Sequence, residues 1–435
     1  MAMRVLSKFL RKAGIGRDSI TMIDLEYATQ KGSSNLGDVG QDDALSGTQV
    51  SPKLQITSEI KPQIPVIGIG GCGIRIVSQM SNRFESYGIS YPLMGIDTDS
   101  NTFEKTNFTH KYQFPNTVSG TSKQYRVGAT IAKQFSSEMM ASVNEYLSTV
   151  LQTYKHEIVL LVIGAGGTGV GVGLELAEKL ISAGKRPVPI LILPGKEESP
   201  RVRFTAAAGV YKFSYGPRDQ CLKLASLMIS NDYFLEKNSK GKLTAVLAAV
   251  NERIGSTLTD LIMSSEMKSS GYSADLNEFL EIFRNLKGIG TISYMHSGKD
   301  FTNIVEFFDE NLLKSIPIEA DPYSATRGYL FIQAASGLVS SRNYRDMAMK
   351  FNNSDIFPKF DEVTEKQANF SVRGIFTGIK YPTDLEELLR SALDAKIQLL
   401  NREENNLADG RQNVKIDRLT SDEEIKVNSG GDKSQ

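Results

Sequence analysis

The run Gly164-Ala165-Gly166-Gly167-Thr168-Gly169-Val170-Gly171 follows the apolar stretch Ile158-Val-Leu-Leu-Val-Ile163 and opens into Leu174-Glu-Leu-Ala-Glu-Lys-Leu180. An unbroken apolar run of this kind reads as a strand buried on both faces of a parallel sheet, and the segment after it reads as a helix. Glycine lets the backbone come close to a ligand, and the free N–H groups at a helix start carry partial positive charge. The turn therefore suits a polyphosphate, with tight packing and no ligand as the plainer alternative. A second turn of the same kind lies upstream, Gly68-Ile-Gly70-Gly71-Cys72-Gly73, after Ile64-Pro-Val-Ile-Gly68 and before Ile74-Arg-Ile-Val-Ser-Gln-Met80.

The upstream turn matches G-x-G-x-x-G, and the next strand, Pro92-Leu-Met-Gly-Ile96, ends in Asp97, near where a Rossmann domain puts its ribose-binding acid. A NAD(P)-binding oxidoreductase is thus a competing reading. A Rossmann site needs one phosphate turn, however, and this chain has two on successive parallel strands. No Gly-Lys is followed by Ser or Thr at Gly184, Gly195 or Gly241, which argues against a Walker-type NTPase.

In order along the chain, these pieces resemble the tubulin/FtsZ superfamily. That resemblance implies an α/β fold: a doubly wound, mostly parallel sheet forming a GTPase domain, a long core helix, then a smaller α/β domain. It also implies GTP/GDP and Mg²⁺ as ligands. Ala165, Gly166, Gly167, Thr168, Gly169 and Val170 resemble the family's GGGTGTG loop, with Ala165 for its first glycine and Val170 for its second threonine. Gly70, Gly71, Cys72 and Gly73 resemble the first nucleotide loop, with Arg75 where tubulin has Gln; Asp97, Thr98 and Asp99 resemble the second, and Gly120, Thr121 and Lys123 the third, which contacts the γ-phosphate in relatives. Glu198 and Arg203 fall where the ribose loop is expected, and Asn231 and Asn251 where relatives read the guanine. No protein residue is assigned to a metal.

Apolar positions Leu247, Val250, Ile254, Leu258, Leu261 and Ile262 recur at helical spacing and predict a core helix from about Leu243 to Lys268. Gly271-Tyr-Ser-Ala-Asp275-Leu-Asn-Glu278 follows and resembles the catalytic loop, with Asp275 and Glu278 at its acidic positions. Their spacing equally fits helix capping, Asp275 as N-cap and Glu278 three residues on. In the superfamily this loop covers the nucleotide of the next subunit, so the resemblance implies head-to-tail self-assembly and assembly-dependent hydrolysis. The Asp-x-x-Glu-Phe spelling, with Gly-Gly-Cys and Asp-Thr-Asp-Ser, looks most like TubZ-type (RepX-like) bacterial plasmid tubulins. Filaments for plasmid segregation are then the expected role, and an FtsZ-like division or cell-shape protein the alternative within the superfamily. A nucleotide-binding adaptor without catalysis is a third reading.

Composition fits a soluble cytoplasmic protein, and the resemblance implies a bacterial one. The 435 residues are 40% hydrophobic and 23% charged, enough for a large core. Cys72 and Cys221, the latter expected in a helix, make no disulfide framework, and His110, His156 and His296 are scattered, against a zinc site or histidine-based acid/base chemistry. No apolar run reaches transmembrane length. Fifty basic residues balance fifty acidic ones, so direct nucleic-acid binding is not expected; the TubZ-type resemblance implies a DNA-binding adaptor at a plasmid centromere as a candidate partner.

The expected organisation is a basic N-terminal segment and flexible linker over 1–60, a nucleotide-binding domain over 61–242, the core helix over 243–270 and the catalytic loop with its helix over 271–287. A C-terminal activation-type domain over 288–380, a helix over 381–405 and a disordered tail over 406–435 follow. Residues 1–17 carry five basic and no acidic side chains at amphipathic spacing; membrane contact there ranks below docking on protein. From Asn406 onward, five basic residues face six acidic ones.

Overall fold

The computed structural model describes residues 63–394, apart from 105, 107, 116–119, 153–154, 216–220, 238–241, 268–273, 285–287, 297–302, 336–339, 352–353, 364–369, 381, 384 and 393. The N-terminal segment and linker (1–60) and the tail (406–435) lie outside the described residues. In chain order the elements are β1 (Val66–Ile69), α1 (Gly70–Ser86), β2 (Met94–Asp97), β3 (His110–Gln113), α2 (Tyr125–Gln134), α3 (Ser136–Val150), β4 (Ile158–Gly164), α4 (Gly167–Ser182), β5 (Arg186–Leu193), α5 (Pro200–Val210), β6 (Ser226–Ser230), α6 (Asn231–Lys237) and α7 (Leu243–Glu266). Then come α8 (Leu276–Arg284), β7 (Ile289–His296), α9 (Ile304–Ser315), β8 (Arg327–Ala335), α10 (Ser341–Met349), β9 (Asp355–Val363) and β10 (Phe370–Ile379).

The strands form one sheet in the order β3-β2-β1-β4-β5-β6-β7-β10-β8-β9. From β3 through β7 every pairing is parallel, β10 is antiparallel to both β7 and β8, and β8 is parallel to β9. The β6–β7 join consists of two residue pairs, Ser226 with Ile289 and Leu227 with Gly290. Along β4, Val159, Leu161 and Ile163 point into one core, with Met139, Val143 and Leu176; Ile158, Leu160 and Val162 point into the other, with Ile74, Val77 and Ile254. That two-sided burial is why the run is apolar throughout. The doubly wound α/β fold that the resemblance implies is the fold observed. Pro187 and Pro189 are tolerated in β5 because β6 pairs with it only from Ile190 onward.

Helix α7 spans 24 residues, about 36 Å at 1.5 Å per residue. Its buried stripe runs through Val246, Val250, Ile254 and Leu258; Leu247, expected on that stripe, is only half-buried. Gly255 lies on α1, where an added Cβ would sit 2.9 Å from the Ile76 carbonyl oxygen. Five residues on, buried Asp260 accepts from Arg83 Nε and Nη2, both at 3.1 Å, and from the Tyr87 hydroxyl at 2.7 Å, and it pairs with buried Arg373 of β10 at 2.6 Å. This ionic joint ties α1 and α7 to the second half of the sheet. Cys221, expected in a helix, lies in an irregular segment before β6.

Candidate functional site

Six segments gather where the parallel strands end: one after each of β1, β2, β4, β5 and β6, and residues 120–124 leading into α2. The strand order around β1 and β4 reverses direction there, the place where open α/β sheets leave a crevice for a ligand. The two glycine-rich segments meet at this point. Gly70 has φ +70°, and an added Cβ would stand 2.9 Å from the Gly169 nitrogen. The helices begin earlier than their apolar residues suggest: Gly70–Gly73 and Gly167–Gly171 are already helical. Glycine survives in these first turns because a Cβ at Gly73 would lie 2.1 Å from the Val162 oxygen, and one at Gly171 would lie 2.1 Å from the Tyr125 oxygen.

Both helices start without a side-chain cap and without an acid in the first turn, with Ile69 and Gly166 as N-caps. Their leading amides therefore remain available to an anion, and bare glycine lets it approach. Thr168 joins three segments: its hydroxyl lies 2.8 Å from that of Thr98 and 3.3 Å from that of Thr121, all three buried. Ser122 and Lys123 adopt positive φ of 47° and 65°, strain of about 1–3 kcal/mol each, beside Gly120 at +85°. The Lys123 carbonyl accepts from Thr205 Oγ1 at 2.7 Å, which holds that turn against α5.

Asp97 is buried and turned into its own loop, accepting from the Thr98 amide at 2.7 Å and the Asp99 amide at 3.4 Å. Burial raises its pKa, opposed by hydrogen bonds from the Thr102 side chain and those amides. It shapes the loop, unlike an acid extended toward a ribose, and the exposed carboxylate here is Asp99, which caps Asn101. Thr102, not anticipated from sequence, carries no motif that would single it out. Burial raises the Cys72 thiol to about 11; nearby Arg75 opposes the rise, Glu198 adds to it and Lys123 opposes it. Residues from three segments thus act on one sulfur. Arg75 is exposed, and Arg203 keeps a buried Nε without a hydrogen-bond partner in the first turn of α5.

Asn231 opens α6 directly after β6. Asn251 lies one turn before Gly255 on α7. Because α1 and α7 run in the same direction, Gly255 beside Ile76 and Asp260 beside Arg83, Asn251 is level with the glycine end of α1.

Asp275 and Glu278 are elsewhere. The far end of α7 sits where strands begin: Glu266 accepts from the Gln63 amide just before β1. Helix α8 follows that edge, with Arg284 paired to Glu157 before β4 and Glu281 paired to Arg327 at the start of β8. At its first turn Asp275 Oδ1 accepts from the Asn277 and Glu278 amides at 2.8 and 3.1 Å, and Glu278 Oε2 accepts from the Asp275 amide at 2.9 Å. The capping arrangement weighed from the sequence is present in full. The rest of the loop, Gly271 to Ser273, lies outside the described residues.

Among the described residues no His, Cys, Asp and Glu group is placed to hold a metal, and no helix is long and apolar enough to cross a membrane.

Comparison with known proteins bears on the fold. The family model for the Tubulin/FtsZ family, GTPase domain, matches residues 63–222. No curated protein matches the sequence. Among solved structures, CetZ2 from Haloferax volcanii, a GTPγS-bound protofilament, aligns with TM-score 0.65 and 16% identity over 78% of this chain and 99% of its own. The GTPγS-form protofilament of TubZ from Bacillus thuringiensis serovar israelensis aligns with TM-score 0.60 and 15% identity, covering 81% and 95%. An FtsZ dimer from M. jannaschii aligns with TM-score 0.58 and 19% identity, covering 73% and 88%. The fold is that of tubulin and FtsZ.

Proposed function

We propose that this chain binds and hydrolyses GTP and assembles head to tail, each subunit supplying Asp275 and Glu278 to the nucleotide held by its neighbour. The observation that carries this reading is the division of the candidate groups. The phosphate-suited helix starts lie at one edge of the sheet, and the acidic pair lies at the other, about 36 Å of α7 away. A subunit cannot bring its own acids to its own nucleotide, whereas a neighbour stacked in the same orientation can. The protofilament state of the CetZ2 and TubZ neighbours supports the same reading.

In this scheme the uncapped amides of α1 and α4 bind the phosphates, Thr98, Thr121 and Thr168 hold the loops in register, and Asn231 and Asn251 read the base. Asp275 orients the attacking water, and fixed amide dipoles meet the charge that develops on the transferred phosphoryl group. A Mg²⁺ ion would be held chiefly by the nucleotide's own oxygens and would balance their charge. The dinucleotide alternative is weakened by Asp97, whose carboxylate is already engaged by its own loop.

The finer biological role we propose is plasmid segregation or maintenance in the bacterial cytoplasm through a DNA-binding adaptor. It is supported by the Asp-x-x-Glu-Phe, Gly-Gly-Cys and Asp-Thr-Asp-Ser spellings. The deciding experiment measures phosphate release from GTP against protein concentration with Mg²⁺, pelleting the same samples. The expected result is a rate per subunit that climbs steeply above a critical concentration, together with GTP-dependent pelleting. A flat rate and an empty pellet would overturn the proposal, and a bound nicotinamide cofactor would replace it.

A further inference from the structure

Lys359, in the middle of β9, is 3% exposed, a rare placement for a lysine that demands compensation. Its Nζ donates to the Met267 carbonyl at 3.1 Å, and Met267 is the C-cap of α7. Its neighbour in the strand, Pro358, accepts from the Ala274 amide at 2.9 Å, the residue just before Asp275. Two successive residues of one strand therefore hold both ends of the connection between the core helix and the acidic helix. Burial lowers the Lys359 pKa, while the charges of Asp275, Asp361 and Glu278 work against that lowering. The amine is thus anchored at the end of α7 within electrostatic reach of Asp275, Asp361 and Glu278, and the capping bonds of Asp275 and Glu278 leave each carboxylate a second oxygen.

We propose that Lys359 is a positioning residue for hydrolysis: by fixing the end of α7 and backing the charges of Asp275 and Glu278, it sets where these carboxylates meet the neighbouring subunit's nucleotide. The proposal rests on the assembly reading above. It assigns Lys359 no contact with nucleotide. A group placed this way alters the rate at saturating GTP and leaves nucleotide affinity alone, because the nucleotide edge lies at the other end of α7.

The test compares wild type, Lys359→Met, Lys359→Gln and Lys359→Arg for GTP affinity, pelleted mass, and turnover per pelleted subunit at saturating GTP with Mg²⁺. Lys359→Met is expected to bind GTP as wild type does and to turn over about tenfold to a hundredfold more slowly in the pellet, the scale set by misplacing a catalytic group by about 1 Å. Lys359→Arg, which keeps charge and donor, is expected to recover most of the rate. Should Lys359→Met not fold, Lys359→Gln decides, since it keeps a donor for Met267 and lacks the charge: a similar slowing supports the proposal and wild-type turnover overturns it. Unchanged turnover per pelleted subunit in a folded Lys359→Met also overturns it. Absence of turnover in pelleted wild type would instead defeat the assembly reading on which it stands.

Discussion

Single atoms decide much of the candidate site. The Thr168 hydroxyl touches those of Thr98 and Thr121, so Thr168→Ala should uncouple three segments at once. A loss of about tenfold in GTP affinity is expected, about 1.4 kcal/mol, most of it recovered in Thr168→Ser. Equilibrium binding of a fluorescent GTP analogue checks this; unchanged affinity in Thr168→Ala would leave the segment a packing device only. Glu266 carries a different kind of information. Its Oε1 accepts from the Gln63 amide and the Tyr91 hydroxyl, its Oε2 is buried without a partner, and burial raises its pKa to about 8. The folded state therefore holds this proton more tightly than the unfolded chain, whose carboxyl titrates near 4.5. Stability from this group is complete below about pH 4.5 and drains away as pH rises to about 8. Glu266→Gln, which keeps the accepting oxygen, should raise Tm relative to wild type by an amount that grows from pH 5 to pH 8 and then levels off. A parallel pair of melting curves across that range would sink the assignment.

Elements were legible to the extent that their causes are local. The alternation of apolar strands, glycine turns and amphipathic helices marked β1, β4, α1 and α4, because burial on both faces of the sheet forces such patterns. The boundaries of α1 and α4 were less visible. Six glycines and a threonine do not look helical, and only tertiary neighbours explain why a Cβ is not tolerated: the carbonyl oxygens of Val162, Gly164 and Tyr125 at Gly73, Gly169 and Gly171, Thr121 Oγ1 at Gly167 and the Gly169 nitrogen at Gly70. Lys359 and the Asp260 joint share this cause, since each acquires its partners from elements far off in the chain, whereas Thr102 bonds Asp97 within one loop and itself carries no motif. The joint also makes a prediction at this scale. Asp260→Ala strands the Arg83 and Arg373 guanidiniums between α1, α7 and β10, and should cost about 3–5 kcal/mol by urea denaturation. A loss below about 1 kcal/mol would mean that water or Tyr87 replaces the carboxylate.

For the molecule as a whole, the proposed reading makes turnover a property of pairs. Asp275→Asn retains an N-cap for α8 and removes one charge, so the variant should stay folded, bind GTP normally, lose phosphate release and accumulate in the pellet. Normal release would remove Asp275 from the mechanism. The join between β6 and β7 bears on how such a molecule responds when neighbours load it. Two residue pairs cross that line, whereas β8 and β9 share nine. Bending the sheet there disturbs few backbone bonds, so mechanical compliance concentrates along one crease. The restoring force comes from the side, through α7 and the Arg83–Asp260–Arg373 charges that span it. Half-buried Arg83 and buried Asp260 and Arg373 thus brace the two sides of that crease from α1, α7 and β10.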